Sequence, residues 1–454
     1  MKTNITDMTK GSPTKHLLLF ALPAMIGNIF QQVYNLADSV IVGRFVGAEA
    51  FAAVGATASI PFLFFALCNG VGSGGGIVVS QYYGAHEESN VKKCIINTAL
   101  IMLIVPFFFS IVAFAITPTL LRILSTPPDL LEASISYTRI ICVGLVFVSL
   151  YNFISSMMRA LGDSKTPLYF LIASTIINII LDTILVVIFH MGINGAALAT
   201  VISQFLSAIG CIIFAVKTNP YFQFTREDFD ISWDMCYKVV RLGVPLSLQF
   251  ALIAISSMAV QKIVNAYGTI AVAAFTATNR IEQLIHQPYG TLSLSMSTFT
   301  GQNYGAKRYD RVVKGYRKGA LIMLILTGIL MLGMQLGATA LVSLFVTEAP
   351  VIEMGAMGLR ITSLFYLALG MINVVRGVLN GLGDAFFALF NGIIEVVGRF
   401  TIPLLMTSYM GFGETGIWLS CGVVWVLSGG TAWIRYITYT KELRKNAATM
   451  ETTM

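Results

Sequence analysis

The chain has 454 residues, of which 56% are hydrophobic and only 11% are charged, against about 25% charged residues in an average soluble domain. This composition predicts a polytopic membrane protein and excludes a soluble globular one. The net charge of +7 does not indicate a nucleic-acid partner, because the basic residues lie between hydrophobic runs, where they set the orientation in the membrane.

The hydrophobic runs predict an all-α fold of twelve membrane-spanning helices, since each run is near or above the ~20 residues needed to cross a bilayer. The runs are 15–42, 50–82, 93–117, 133–158, 166–190, 193–216, 238–266, 271–302, 315–341, 352–380, 385–410 and 414–437. Lys and Arg cluster before the first run, after the second, fourth, sixth and eighth, and at the chain end. Cytoplasmic loops are enriched in these residues, so we expect both termini to be cytoplasmic.

The first run carries groups that a passive anchor would not need. Pro23 can bend a helix because it removes one backbone hydrogen bond. Asp38 follows in the same run, and a carboxylate inside hydrocarbon costs at least ~2.5 kcal/mol. A bendable helix with a buried acid is typical of a moving part.

The second run contains the stretch Gly72-Ser73-Gly74-Gly75-Gly76. Inside an apolar segment, such small residues predict close helix packing or bending. They do not form a phosphate-binding loop. The chain also lacks a Gly-rich loop followed by Lys-Ser/Thr, which argues against ATP hydrolysis.

The fifth run adds a second buried acid. Asn178 and Asp182 are four residues apart and share one helix face. Asp182 lies about 12 Å from the predicted outer end, and Asp38 and Thr200 fall at a similar depth. We expect these four residues to form one oxygen-rich site that binds H⁺ or Na⁺. The alternative is that the acids only hydrogen-bond helices together.

The second half carries a different set of intramembrane charges. Glu395 and Arg399 are four residues apart on the eleventh run, and a structural ion pair between them is favoured over a role as ligands. Arg376 lies on the tenth run. For Glu282, on the eighth run, two roles are equally compatible with the sequence: an acid that lines a cavity, or a structural partner of another residue.

Further polar, aromatic and Met side chains are candidates for lining an adaptable substrate cleft, although such residues at helical spacing more often pack helices together. The candidates are Gln31, Tyr34, Asn35, Asn152, Phe153, Met157, Met258, Glu282 and Met296. The four histidines and six cysteines show no metal-ligand spacing. We therefore expect neither a metal centre nor a cofactor, and H⁺ or Na⁺ only as a coupling ion.

An internal repeat organises the chain. Gln81-Tyr82-Tyr83-Gly84-Ala85 recurs as Gln302-Asn303-Tyr304-Gly305-Ala306, and Leu161-Gly162-Asp163 recurs as Leu382-Gly383-Asp384, both with a spacing of 221 residues. Arg139 recurs as Arg360 with the same spacing. The expected domains are an N-lobe at 1–216, a cytoplasmic linker at 217–236 and a C-lobe at 237–454 that ends in a short cytoplasmic tail.

Each half of the chain contains six spans. Because six is an even number, the second half begins on the same side of the membrane as the first, and both bundles have the same orientation. They predict a parallel, V-shaped pair with a cleft that opens to each side in turn, which suits a secondary transporter.

These residues resemble the multidrug and toxic compound extrusion (MATE) family across nearly the whole chain. The resemblance rests on the paired Gln-x-Tyr-Gly-Ala and Leu-Gly-Asp motifs and on Pro23, fifteen residues before Asp38. The acid in the first helix and Asn178-x-x-x-Asp182 in the fifth are similar to the DinF-like and MepA-like bacterial branches. In those branches the matching residues bind the coupling cation, and the first helix bends at its proline. The NorM-like branch has acids in helices 7 and 10; here helix 7 has no acid, and helix 10 carries Arg376.

The resemblance implies a bacterial plasma-membrane antiporter, a functional monomer, that exports amphipathic and often cationic drugs in exchange for H⁺ or Na⁺. One alternative is a lipid-linked oligosaccharide flippase of the same superfamily, which would favour a basic cavity and often two further helices. The other is a membrane enzyme, which the absence of His-Glu-x-x-His or a Ser-His pair argues against.

Overall fold

The computed structural model describes residues 4–47, 53, 54, 57, 59–123 and 128–453, with the backbone alone at 59, 254, 258 and 442–453. The chain is 89% helical, and no strand occurs among these residues. This confirms the predicted all-α class.

Each predicted span coincides with a helix or with an adjoining pair of helices. The elements are α1 Pro13–Phe45, α2 Ser59–Gly84, α3 Glu88–Ile123, α4 Pro128–Ala160, α5 Lys165–Asp182, α6 Gly192–Thr218, α7 Trp233–Asn265, α8 Gly268–Gly305, α9 Tyr309–Ser343, α10 Ala349–Ser363, α11 Tyr366–Leu382, α12 Ala385–Leu404 and α13 Thr415–Thr453. The start of the predicted second span, 50–58, lies largely outside the described residues.

Among the described residues, ten helices are long and apolar enough to cross a membrane. The pair α10 and α11, bent by 51° at a short break, adds an eleventh span. Helix α8 has 38 residues, or ~57 Å at 1.5 Å per residue, and is longer than a span requires although it carries more polar side chains. The chain is therefore a multi-pass membrane protein.

The chain divides into two compact units, which we call unit 1 and unit 2. Unit 1 comprises the residues up to Asp7 together with Leu22–Leu248, and unit 2 comprises Met8–Ala21 together with Gln249–Met454. Each unit has its own hydrophobic core. The core of unit 1 is built around α2, α3 and α4, and that of unit 2 around α8, α9 and α11.

Two helices are divided between the units. The first part of α1, up to Ala21, belongs to unit 2, and the change falls two residues before Pro23. Helix α7 passes from unit 1 to unit 2 after Leu248, three residues beyond Pro245. A proline inside a helix removes one backbone hydrogen bond and permits a bend. Both divided helices therefore have a weak point beside the place where they change unit.

Within unit 1, α2 and α7 approach each other at backbone distance. A Cβ atom added to Gly74 would lie 2.5 Å from the backbone nitrogen of Gly243, and one added to Gly70 would lie 2.2 Å from that of Ser247. The Ser247 hydroxyl donates to the Leu67 carbonyl at 2.6 Å across the same contact. This confirms that the small residues of α2 serve close helix packing.

We expect Gly74→Ala to lower the free energy of unfolding by about 1–3 kcal/mol, because the added methyl group meets backbone that can move only as a helix. The matched control is Gly333→Ala on α9, where an added Cβ meets nothing within 4 Å. Thermal unfolding of the purified protein in detergent measures both. Equal melting temperatures for the two variants would contradict the close packing.

The repeated Leu-Gly-Asp motif is a helix-to-helix turn. Gly162 ends the turn after α4 with φ +82°, in the left-handed region. The next residue, Asp163, accepts from the backbone N–H and the hydroxyl of Thr166 at 2.9 and 2.6 Å, which stabilises the start of α5. In the second copy Asp384 instead accepts from Arg435 at 2.7 Å. The motif keeps its backbone role while its carboxylate changes partner.

The segment between α6 and α7 packs on the N-terminal part of α3. Asp228 is buried, accepts from the backbone N–H of Thr225 at 2.7 Å, and pairs with Lys92 at 3.5 Å. The side chain of Asn97 holds the same segment through the carbonyl of Asp230 and the N–H of Ser232. The backbone hydrogen bond from Thr225, with Lys92 nearby, lowers the pKa of Asp228.

A carboxylate with a lowered pKa stabilises the fold above its unfolded value of ~3.9, and this stabilisation is lost as pH falls through the folded value. We therefore expect Asp228→Asn to cost about 1 kcal/mol at pH 7 and progressively less below about pH 4. Melting curves over this pH range measure the difference. The control is Asp234→Asn, whose exposed pair with Lys238 should contribute little at any pH.

Candidate functional site

Three helices of unit 1 bring the predicted acids together. Helix α1 presents Tyr34 and Asp38 one turn apart, and α5 presents Asn178 and Asp182 one turn apart. The carboxylates of Asp38 and Asp182 lie close enough to interact electrostatically. Helix α6, which packs along α5, carries Thr200. We call these five residues the acid cluster.

Tyr34 links the three helices of the acid cluster. Its hydroxyl lies near the side chains of Thr200 and Ser203 on α6 and near both carboxylates, although it forms no hydrogen bond. Its predicted role was to line the substrate cleft. The structure brings it into the acid cluster, so that Tyr34 contributes a phenol oxygen to the predicted set of ligands.

The acid cluster is buried and its polar atoms lack protein partners. Asn178 and Asp182 are fully buried. Both carboxylate oxygens of Asp182, one of Asp38, both amide atoms of Asn178 and the Tyr34 hydroxyl have no hydrogen-bond partner. A buried polar group left without a hydrogen bond costs about 1–3 kcal/mol, and more if charged. Oxygen atoms arranged in this way suit a proton or a hard monovalent cation.

No basic side chain among the described residues forms an ion pair with Asp38 or Asp182; the ion pairs of unit 1 lie elsewhere. The described residues also contain no group of three His, Cys, Asp or Glu side chains that could hold a metal ion.

The helix geometry changes directly after Asp182. Residues Thr183–Ile188 form a π-helical turn, closed by the Phe189 N–H donating to the Ile184 carbonyl at 2.9 Å. The second copy has the same feature at Leu405–Tyr409, after α12. Widened turns of this kind occur frequently at functional sites. Here the turn begins at the residue directly after the acid.

The equivalent place in unit 2 has different chemistry. At the spacing of 221 residues, Arg399, Pro403 and Cys421 take the positions of Asn178, Asp182 and Thr200. No carboxylate occupies the positions of the two acids, so the second copy cannot repeat the acid cluster.

The Arg399 guanidinium donates to the hydroxyls of Ser256 and Ser257 at 3.4 and 3.1 Å. The predicted ion pair between Glu395 and Arg399 is therefore wrong, because hydroxyls of α7 take the guanidinium. Glu395 pairs with Arg376 of α11 instead, at 2.6 Å, with side chains 7% and 16% exposed.

Neutral groups complete the surroundings of this Arg376–Glu395 pair. Arg376 also donates to the Asn391 amide oxygen at 2.6 Å, and Ser428 donates to Glu395 at 3.1 Å. With its amide oxygen turned toward Arg376, Gln249 accepts from Nε and Nη1 at 3.0 Å each. A buried pair with its remaining donors and acceptors satisfied holds helices in place.

Glu282 of α8 belongs to a separate group of side chains and interacts with Arg399. It is half-buried, the Thr362 side chain lies beside it, and its Oε1 atom has no hydrogen-bond partner. Tyr366, fully buried with its hydroxyl unpaired, interacts with the same carboxylate. Glu282 has no ion pair among the described residues. It is the one predicted cleft residue of unit 2 that keeps an unpaired buried oxygen.

The remaining predicted cleft residues fall into three groups. Phe153 and Met157 lie in the packed core of unit 1 and Met296 in that of unit 2, which is the packing role that such side chains more often have. Gln31 and Asn152 are partly buried and Asn35 is exposed. The side chain of Met258 lies outside the described residues.

Sequence reasoning missed two residues near these sites. Tyr137 of α4 is buried beside the acid cluster and interacts with Asp38, Asp182 and Tyr34. Nothing in its surrounding sequence separates it from an ordinary packing tyrosine. The other, Gln249, is a lone amide in the middle of an apolar run. Its polarity could have marked it in the sequence as a candidate partner for a buried polar group.

We expect Arg376→Gln to lower the free energy of unfolding by about 3–5 kcal/mol, because it leaves the Glu395 carboxylate buried without its partner. Arg399→Gln removes hydrogen bonds to two hydroxyls and a positive charge that acts on Glu395 from outside ion-pair distance, and should cost about 1–3 kcal/mol. Melting temperatures in detergent compare the two. Greater damage from Arg399→Gln would show that the assigned partner of Glu395 is incorrect.

Comparison with known proteins identifies the family. The family model described as MatE matches twice, at residues 23–184 and 245–404, in agreement with the internal repeat. The chain belongs to the MatE family. Members of this family are transporters and not enzymes, and the chain is accordingly a multi-pass membrane transporter.

Similar proteins cover nearly the whole chain. The "Probable multidrug resistance protein YoeA" of Bacillus subtilis is 29% identical over 92% of this chain and 92% of its own. The "Multidrug export protein MepA" of Staphylococcus aureus is 24% identical over 89% of each. The solved structure of a MOP superfamily transporter from Pyrococcus furiosus superposes with a TM-score of 0.92 at 22% identity, covering 98% of this chain and 99% of that one. The chain therefore has the same fold as this solved structure.

Proposed function

We propose that this MatE-family transporter is a cation-coupled multidrug efflux antiporter, which exports amphipathic, often cationic compounds by alternating access in exchange for H⁺ or Na⁺. The names of the relatives in Bacillus subtilis and Staphylococcus aureus refer to multidrug resistance and multidrug export, and both cover about nine-tenths of the chain. These names support the drug-like substrate class.

The observation that carries the coupling is the pair Asp38 and Asp182 in the acid cluster. The two carboxylates interact, have unpaired buried oxygens, and form no ion pair with a basic residue in the part of the chain that the structure describes. Two such acids remain ionised together only at a large electrostatic and desolvation cost. One bound H⁺ or Na⁺ removes most of that cost. A cation therefore binds as part of the cycle, and its release restores the unfavourable charge.

Helix α1 is the moving part in this proposal. It contributes Tyr34 and Asp38 to the acid cluster and contains Pro23 close to the point where the helix changes unit. A cation held between α1 and α5 favours the conformation of α1 in which Asp38 approaches Asp182. Gln31 and Asn35, on the same helix within one turn of Tyr34, sense this change and are proposed to contact the substrate. The outward-facing form takes the cation and releases drug; the inward-facing form loses the cation and takes up drug.

We further propose that the protein acts as a monomer in the bacterial plasma membrane with both termini in the cytoplasm. The distribution of Lys and Arg between the spans supports this orientation.

Drug transport in vesicles tests the coupling. Inverted membrane vesicles that contain the full chain are supplied with ethidium and either a pH gradient or a Na⁺ gradient. We expect one gradient to drive uptake, and Asp38→Asn and Asp182→Asn to reduce that uptake at least ~10-fold, since each removes a carboxylate that the cation needs. The matched control is Asp310→Asn, which removes an exposed acid paired with Lys314.

Uptake at the wild-type rate by both Asp38→Asn and Asp182→Asn would contradict the coupling role of the acid cluster. Absence of drug uptake under either gradient by protein that is folded and correctly inserted would contradict drug efflux. Accumulation of cell-wall precursors on deletion would then favour the lipid-linked oligosaccharide flippase.

A further inference from the structure

The outer surface of unit 1 contains a cavity that the proposed transport cycle does not use. It has a volume of about 760 Å³ and is formed by α3, α4 and α6 near the ends joined by residues 124–127. Its walls are mainly apolar, and Phe114 and Val143 on these walls are 43% and 49% exposed. Because α3, α4 and α6 are long and apolar enough to span the membrane, bilayer lipids can reach this cavity.

Two arginines and one carboxylate line this apolar cavity. Glu132 and Arg139 lie seven residues apart on one face of α4, and Arg122 lies one residue before the end of α3. None of the three forms an ion pair with another described residue. With two guanidinium groups against one carboxylate, the cavity carries a net positive charge.

The guanidinium of Arg139 is held in place by α3. Its Nε atom donates to the Phe114 carbonyl at 3.3 Å, and its central carbon lies 4.6 Å above the Phe114 ring. Its two terminal nitrogens donate to no described residue. A guanidinium fixed on one edge, with the other edge free, is prepared for bidentate binding of a planar or tetrahedral oxyanion.

The depth of Arg139 suits a headgroup drawn slightly into the membrane. It lies eleven residues after Pro128, the first residue of α4, or ~17 Å along the helix axis. Arg122 is near the helix end, where the phosphate layer begins. A long side chain at this depth extends toward the interface, and both guanidinium groups line the same cavity.

We propose that this cavity binds an anionic glycerophospholipid, with its phosphate on Arg122 and Arg139 and one acyl chain along the apolar wall beside Val143 and Leu198. Free phosphate would leave that apolar wall unfilled. A neutral zwitterionic lipid would bring an additional cation next to two arginines.

The bound lipid would lie behind the acid cluster. Leu198 and Val201 line the cavity on either side of Thr200 in the sequence of α6. Tyr137, beside the acid cluster, lies two residues before Arg139 on α4. A lipid wedged between α4 and α6 therefore stabilises the helices that support the acid cluster.

The second copy offers a matched control. Arg360 occupies the position of Arg139, and Ser343 occupies that of Arg122. The Arg360 guanidinium already donates to the Thr339 hydroxyl at 3.2 Å. With one arginine in place of two, and with that arginine hydrogen-bonded, the equivalent surface should bind anionic lipid less well.

Native mass spectrometry of the delipidated full chain in detergent tests the proposal. The protein is titrated with 1-palmitoyl-2-oleoyl phosphatidylglycerol, with the phosphatidylcholine of the same chains, and with inorganic phosphate. We expect phosphatidylglycerol to bind the wild type at least ~10-fold more tightly than the Arg122→Gln/Arg139→Gln variant, since two charge-assisted contacts are lost. Arg360→Gln should bind it like the wild type.

Equal binding of phosphatidylglycerol by the wild type and the double variant would overturn the proposal. So would equal binding of phosphatidylcholine, which would indicate an apolar groove alone, or displacement of the lipid by inorganic phosphate at equal concentration. If the double variant fails to fold, Val143→Trp provides a second test, because it fills the acyl-chain wall and leaves both arginines. It should also weaken lipid binding, and wild-type affinity in this variant would contradict the proposed position of the lipid.

Discussion

The cost of removing ionised side chains from water governs both units of this protein. Unit 2 meets this cost by pairing. The Glu395 carboxylate contacts Arg376, and the surrounding Gln249, Asn391 and Ser428 satisfy the remaining donors and acceptors. Among the described residues, Asp38 and Asp182 of unit 1 have no cationic partner, and one oxygen of Asp38 and both oxygens of Asp182 have no hydrogen-bond partner. The first arrangement is a closed electrostatic network, whereas the second leaves carboxylate oxygens without protein partners.

The two copies of the repeat share one backbone geometry, although they treat buried charges differently. Each copy has a helix that ends in a π-helical turn, at Thr183–Ile188 and at Leu405–Tyr409. The residue before the first turn is Asp182, and Pro403 takes its place in the second copy. Duplication thus preserved the geometry, which depends on main-chain packing. The ionisable groups at these positions differ between the two copies.

Close helix packing also limits where the chain can bend. The glycines of α2 bring α7 to backbone distance within unit 1, so this part of α7 cannot shift without moving α2. The weak points of α1 and α7 are instead at Pro23 and Pro245, near the changes of unit. Flexibility is thereby concentrated in short segments, and the acid cluster lies beyond one of them on α1.

Some features of the site could be read from helical periodicity and others could not. Spacing of four residues correctly placed Asn178 and Asp182 on one face, because one helix determines its own faces. The same spacing gave the wrong partner for Glu395, because other helices compete for each guanidinium: α11 supplied Arg376, and hydroxyls of α7 took Arg399. Phe153, Met157 and Met296 proved to be core residues, since composition alone does not distinguish a packed apolar side chain from one that lines a cavity.

The sequence by itself determined the membrane class, the positions of the spans, the twofold repeat and the restriction of the Asn178-x-x-x-Asp182 pattern to the first copy. These follow from hydropathy and spacing along one chain, which local physics dictates. Only the tertiary structure decided that Tyr34 and Tyr137 join the acids, that Glu395 pairs with Arg376, and that α1 and α7 are divided between units. Those outcomes depend on which side chains from distant segments are buried next to one another. Burial makes the identity of each partner energetically important, because a buried polar or charged group without a partner is costly.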